Sequence, residues 1–134
     1  MSNKSGPQSV FWALFSLQGR MRVQSFRWGA ALIGTYWWIA IAQLNTVSKG
    51  HTDYHFWLVI FALTVLLSTY NLYALCHKRL HDLGYTGLFS LLAVGLSFLL
   101  PFIMPMLLGV LSFKAGEDTN NDYGPPPLHK KKTI

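Results

Sequence analysis

Three long apolar stretches, separated by short polar ones, dominate the pattern of residues along the chain. They cover about residues 26–46, 56–76 and 88–113. Each of the first two is roughly 20 residues long, or ~30 Å as an α-helix, which matches the hydrocarbon thickness of a bilayer. The pattern therefore predicts an all-α protein, a small integral membrane helical bundle with three long apolar segments.

The third apolar segment is broken at Pro101 and Pro105. As one helix, residues 88–113 would be ~39 Å long and would have to tilt in the bilayer, and each proline removes a backbone hydrogen-bond donor. Two alternatives stay open. The segment is either one kinked span or a re-entrant hairpin that turns at the prolines and returns the C-terminus to the side from which it came.

The chain before the first span contains one more apolar segment. Residues 10–17 are apolar on nearly all faces but too short to cross a bilayer, which predicts a short helix that lies in the membrane interface or packs on the bundle. Residues 1–9 are polar and expected to be disordered. Residues 128–134 form a basic tail. The predicted organisation is thus a single membrane domain over residues 10–127.

Composition and charge agree with a membrane location. Hydrophobic residues make up 51% of the chain and charged residues 12%, about half the charged fraction of a soluble domain. The net charge of +6 is carried by residues that flank the apolar segments, which favours an anionic membrane surface over nucleic acid. The expected partners are the lipid bilayer, anionic lipid in particular, and a second copy or another membrane protein.

A cluster of charged residues at 77–87 separates the second and third apolar segments. Such a cluster must lie where water or lipid headgroups can solvate it. Arg79 and Asp82, three residues apart, can pair on one helix face, and Gly84 can end that helix in a left-handed cap. His77 and His81 have the spacing of a zinc or copper pair. Histidines solvated at the membrane interface are the more common case, so no metal and no cofactor are assigned.

Two further polar segments complete the candidate site. A basic collar, formed by Arg20, Arg22 and Arg27, precedes the first span. The acidic tail after residue 113 can fold back onto the collar and the cluster, because opposite charges near a low-dielectric boundary attract strongly. This fold-back requires the hairpin. The candidate binding residues are Arg20, Arg22, Arg27, Arg79, His81, Asp82, Asn120 and Tyr123.

Three motifs occur in these polar segments. They are Gly-Arg with a Trp eight residues after the Arg (residues 19–28), Arg-Leu-His-Asp-x-Gly-x-x-Gly (79–87) and Gly-x-x-x-Asn-x-x-Tyr-Gly-Pro (116–125). In this order they resemble the YhaH/YhaI family of small bacterial inner-membrane proteins, domain of unknown function 805. The resemblance covers about residues 11–127. It implies a multi-pass protein of the bacterial inner membrane and no particular activity.

Cations before the first span outnumber those in the connection after it, so the positive-inside rule places the N-terminus in the cytoplasm. Two function classes follow. The first is a non-enzymatic structural or regulatory membrane component. The second is a binding or carrier module for an anion or an anionic lipid headgroup, acting through the Arg/His/Asp cluster. An enzyme ranks third, because the sequence contains no complete catalytic set.

Overall fold

The computed structural model describes residues 9–46, 53–100 and 102–127, and this part of the chain is helical. Five α-helices follow one another: α1 (Val10–Phe15), α2 (Val23–Thr46), α3 (Tyr54–Asp82), α4 (Leu88–Ser97) and α5 (Ile103–Phe113). Apart from an isolated bridge between Asn121 and Gly124, the described residues contain no β-structure. The predicted all-α helical bundle is confirmed.

The N-terminal and C-terminal predictions fall mainly outside the described residues. The exception is Ser9, which was predicted to be disordered but caps α1, because its Oγ accepts a hydrogen bond from the N–H of Trp12 at 3.1 Å. Residues 128–134, the predicted basic tail, lie outside the described part.

Helices α2 and α3 form the central antiparallel pair. Gly29 of α2 lies so close to Leu75 of α3 that a Cβ at position 29 would be 2.8 Å from the leucine side chain. Farther along the pair, Trp37 and Phe61 meet edge to face at 6.3 Å between ring centroids. The glycine therefore permits a close approach at one end of the pair, and the aromatic rings pack together nearer the other end.

Helix α3 continues past the predicted span of residues 56–76 and ends at the predicted glycine cap. Gly84 has φ +74°. The N–H of Gly84 donates to the carbonyl of His81 at 3.2 Å, and the N–H of Tyr85 donates to the carbonyl of Leu80 at 2.9 Å. These two bonds are the Schellman pattern, which satisfies carbonyls that the helix itself leaves without partners.

The third apolar segment is a broken hairpin and not one kinked helix. Helices α4 and α5, with 10 and 11 residues, pack on each other, and α5 returns onto α2 and α3. Pro105 is the third residue of α5, where its missing N–H would have no partner within the helix anyway. Each leg is ~15–17 Å long. The hairpin begins just after α3, and its second leg ends beside the last turn of α3, where Arg79 donates to the carbonyl of Leu111.

Many large hydrophobic side chains are exposed on the surface of the described residues. The buried core is small and centres on Phe26, Leu75 and Leu111. Of the helices described, only α3 is long and apolar enough to cross a bilayer, and just 22% of its most apolar 18-residue window is buried. Helix α2 has the length, at 24 residues, but polar residues such as Gln43 and Asn45 lower its hydropathy.

We expect Gly84→Ala to lower the free energy of unfolding by ~1–2 kcal/mol, because an L-residue is strained in the left-handed region and the new Cβ would meet the Glu117 carboxylate. The matched control is Gly95→Ala in α4, where the space around the position is open and alanine should stabilise the helix by up to ~1 kcal/mol. Thermal unfolding in detergent, followed by circular dichroism, measures both. Equal shifts for the two variants would contradict this account of the cap.

Candidate functional site

The side chain of Arg20, just before α2, is buried and fully hydrogen-bonded. Its Nε donates to Oδ1 of Asp82 at 3.1 Å. Nη1 donates to the carbonyls of Thr119 (2.8 Å) and Gly124 (3.1 Å). Nη2 donates to the carbonyls of Asp82 (3.4 Å) and Glu117. A guanidinium has five N–H donors, so all five are occupied by groups of the protein itself.

Arg79, in the last turn of α3, joins the same carboxylate from the other side and is 1% exposed. Its Nε donates to the carbonyl of Leu111 at 3.1 Å. Nη1 donates to Oδ2 of Asp82 and to the carbonyl of Met21 (3.2 Å), and Nη2 donates to the carbonyl of Lys114. Asp82 therefore lies between two guanidiniums, with one oxygen on each. We call Arg20, Arg79 and Asp82 the arginine clamp.

Burial shapes the electrostatics of the clamp. It lowers the pKa of the Arg79 guanidinium, and the adjacent Asp82 carboxylate opposes that shift. The Asp82 carboxylate occupies the place that a Cβ on residue 116 would take, so Gly116 lets the tail pass directly over it. Charge pairing within the clamp and the close approach of the backbone at Gly116 thus hold the tail against the end of α3.

The C-terminal end of α5 depends on arginines from other helices. The carbonyl of Leu111 accepts from Arg79, and the carbonyl of Ser112 accepts from Nε (3.0 Å) and Nη2 (2.6 Å) of Arg27. Arg27 also lies over the Phe113 ring, 5.6 Å from its centroid. The last carbonyls of a helix have no partner within it, and cations there are favoured by the helix dipole.

Lys78 plays the same part for α1. Its buried Nζ donates to the carbonyls of Trp12 (2.8 Å) and Ala13, and lies 4.4 Å from the centroid of the Trp12 ring. Residues 77–82 follow the apolar part of α3. Burial lowers the pKa of the Lys78 ammonium group to about 8. The hydroxyl of Tyr70 donates to the carbonyl of Phe15 at 2.8 Å. Of the two alternatives for the first apolar segment, the helix packed on the bundle is the one observed.

The tail also stacks on the histidines of α3. The rings of His81 and Tyr123 are parallel within 5°, with centroids 3.8 Å apart, and His77 lies 4.3 Å beyond His81. Burial lowers the pKa of both histidines and thereby favours the neutral imidazole. Asn121 donates to the carbonyl of His81 and to Oε2 of Glu117, each at 2.9 Å.

These contacts place all three polar motifs in one structural unit. A family model described as "Protein of unknown function (DUF805)" matches residues 14–125. The chain belongs to this family. The resemblance seen in the three motifs is therefore confirmed at the level of DUF805. Neither the curated proteins nor the solved structures include a significant match to this chain.

In this DUF805 protein, five of the predicted site residues meet in one cluster. They are Arg20, Arg79, His81, Asp82 and Tyr123. Arg27 lies at the end of α5, and Arg22 lies partly exposed outside the cluster. Asn120 is exposed, and its neighbour Asn121 is the residue that donates a hydrogen bond to the carbonyl of His81.

Sequence reasoning also missed the part that Lys78 plays. The residue reads as one of several interfacial cations, and the only sequence signal for its burial is its position in the last turns of an otherwise apolar helix. Among the described residues, no group of three or more His, Cys, Asp or Glu side chains could hold a metal ion. The sequence contains a second histidine pair with the same four-residue spacing, His51 and His55, but His51 lies outside the described residues.

We expect Asp82→Asn to lower the free energy of unfolding of the DUF805 chain by about 3–5 kcal/mol, the usual cost of removing one partner from a buried ion pair. Two buried guanidiniums would lose their shared countercharge. Asp122→Asn is the control, because it removes the same charge from an exposed position of the tail. Unfolding of both variants in detergent is compared with that of the wild type, and a stable Asp82→Asn variant would contradict the role of the carboxylate in the clamp.

Proposed function

We propose that this chain is a multi-span protein of the bacterial inner membrane and acts as a non-enzymatic structural or regulatory component. In this proposal the arginine clamp is a structural device. It joins the segment before α2, the end of α3, the end of α5 and the tail at the cytoplasmic face.

The apolar exterior supports the membrane location. Large hydrophobic side chains are exposed on α2, α3 and α4, including Trp38 (76%), Leu66 (69%) and Leu92 (59%). In water, apolar patches of this extent are rare on a monomeric protein. In a bilayer such side chains face lipid tails, and a small polar core at one end is sufficient to hold the helices in place.

The saturation of Arg20 is the observation that carries the structural role. A binding or catalytic site keeps a few polar groups directed at its ligand. Here, by contrast, the five donors of Arg20 and at least four donors of Arg79 bond the Asp82 carboxylate and backbone carbonyls. An anion could enter only by displacing bonds that hold the tail.

The distribution of cations supports the orientation. Arg20, Arg22, Arg27, Lys78 and Arg79 all lie at the clamp end of the bundle, and cytoplasmic segments are the ones that carry excess Lys and Arg. The hairpin of α4 and α5 would then enter the bilayer from the cytoplasm, reach about half its thickness and return.

A second candidate function is recognition of anionic lipid by the exposed cations. Arg27 and Lys114 are exposed at the end of α5 and flank Phe113, which is 85% exposed. Together with Arg22 they could form a basic rim at the headgroup level, where each cation contributes about 1 kcal/mol of attraction to an anionic surface. This candidate excludes the buried Arg20 and Arg79.

The orientation is tested with a reporter fused after Ile134. We expect activity typical of the cytoplasm, because the hairpin returns the C-terminus to the side of the clamp. The matched control is the same reporter fused after Ser48, in the connection between α2 and α3, which should report the periplasm. Periplasmic activity of the fusion after Ile134 would contradict both the re-entrant hairpin and the cytoplasmic clamp.

The lipid candidate is tested with the double variant Arg22→Gln/Arg27→Gln. We expect weaker retention of added anionic lipid by the detergent-solubilised protein, with a difference from wild type that shrinks as salt is raised. Arg20→Gln is the comparison, since it should destabilise the fold while leaving the exposed rim intact. Unchanged retention of the double variant at low salt would exclude the rim as a lipid-binding surface.

A further inference from the structure

A groove between α2 and α3 lies away from the clamp. The groove encloses a cavity of about 310 Å³, lined among others by Tyr36, Ala40 and Gln43 of α2 and by Trp57, Thr64 and Asn71 of α3. Its volume is about ten times a water molecule's share of the liquid and lies within the range of small-molecule pockets. The lining is predominantly apolar.

The shape of the cavity is long and narrow. Trp57 and Asn71 lie 14 residues apart on one helix, which is ~21 Å. A volume of about 310 Å³ over that length is much less than an α-helix with its side chains, ~10 Å across, would fill. The volume and the length therefore match one extended hydrocarbon chain.

Asn71 supplies a polar end to this apolar channel. The residue is 2% exposed, and its Oδ1 is buried without a hydrogen-bond partner among the described residues. The nearby hydroxyls are engaged elsewhere, since Ser68 donates to the carbonyl of Val65 and Thr64 to that of Ile60. A buried acceptor without a donor costs about 1–3 kcal/mol, so a ligand that brings a donor would relieve that cost.

The lining also limits the charge of the ligand. None of the residues around the cavity is ionisable at neutral pH, and a charged group buried without a partner would be strongly disfavoured. Ile39 and Leu67, on the two walls, are each about half exposed. The groove is therefore open sideways, and a ligand could enter from the surrounding apolar phase.

We propose that this cavity binds an uncharged single-chain lipid whose hydroxyl group donates a hydrogen bond to Oδ1 of Asn71, with its hydrocarbon chain running along α3 toward Trp57. This site goes beyond the structural role proposed for the chain. It depends on α2 and α3 alone, so it can be tested in detergent whichever way the protein is oriented in a membrane.

The test uses purified full-length protein and two probes, 1-hexadecanol and its methyl ether, which has the same chain but no donor. Native mass spectrometry measures how much of each is bound. We expect one alcohol per protein and about tenfold weaker binding of the ether, as for an acceptor left without its donor. This comparison needs no variant. Equal binding of the two probes, or binding of neither, would overturn the proposal and leave water as the partner of Asn71.

Variants then locate the site. Asn71→Leu should remove the preference for the alcohol while still allowing the ether to bind. Ala40→Phe should fill the cavity and abolish binding of both probes. Gly34→Phe is the matched control, because it adds the same bulk to α2 at a position with open space and outside the lining. Binding that survives Ala40→Phe, or a preference that survives Asn71→Leu, would place the lipid elsewhere and overturn the proposal.

Discussion

Backbone carbonyl groups at helix ends need hydrogen-bond donors, and in this protein cationic side chains supply many of them. Arg79 and Arg27 bond the last carbonyls of α5, Lys78 bonds carbonyls of α1, and Arg20 bonds carbonyls of the tail. A short helix has few internal hydrogen bonds of its own. The packing of α1 and α5 therefore relies on donors that reach across from α2 and α3.

This arrangement places several positive charges close together, and the Asp82 carboxylate reduces the repulsion between the two buried guanidiniums. Asp82 bonds Arg20 with one oxygen and Arg79 with the other. Its own backbone carbonyl accepts the N–H of Glu117 at 2.9 Å, and Gly116 gives the tail room to pass over the carboxylate. The cap of α3, the segment before α2 and the tail consequently stabilise one another, and loss of any one of them exposes the others.

The two polar regions of the bundle differ in what they leave available. At the clamp, donors and acceptors are matched within the protein, which is the property of a structural joint. In the groove between α2 and α3, an apolar channel ends at an acceptor for which the described residues provide no donor. The groove therefore offers a ligand an acceptor that none of the described residues engages, which the arginine clamp does not.

The sequence by itself determined the helices and the local features of their ends. The long apolar stretches specify the helical segments, and the prolines interrupt the third of them. Gly84 ends α3. Arg79 and Asp82 meet because their spacing of three residues brings them to one face of the helix. These features depend on contacts between residues close in the chain, whose geometry follows from φ, ψ and the helical repeat.

Only the tertiary structure decided which distant groups meet. The third apolar segment forms a hairpin instead of a kinked span. Asn121, and not Asn120, bonds the carbonyl of His81. Lys78 bonds the carbonyls of Trp12 and Ala13. The tertiary structure also revealed the groove at Asn71, which the sequence shows only as a polar residue within an apolar segment. The physical reason is that most of these partners are backbone carbonyls. Every residue carries one, so the residue type leaves no mark of which carbonyl a distant cation will reach.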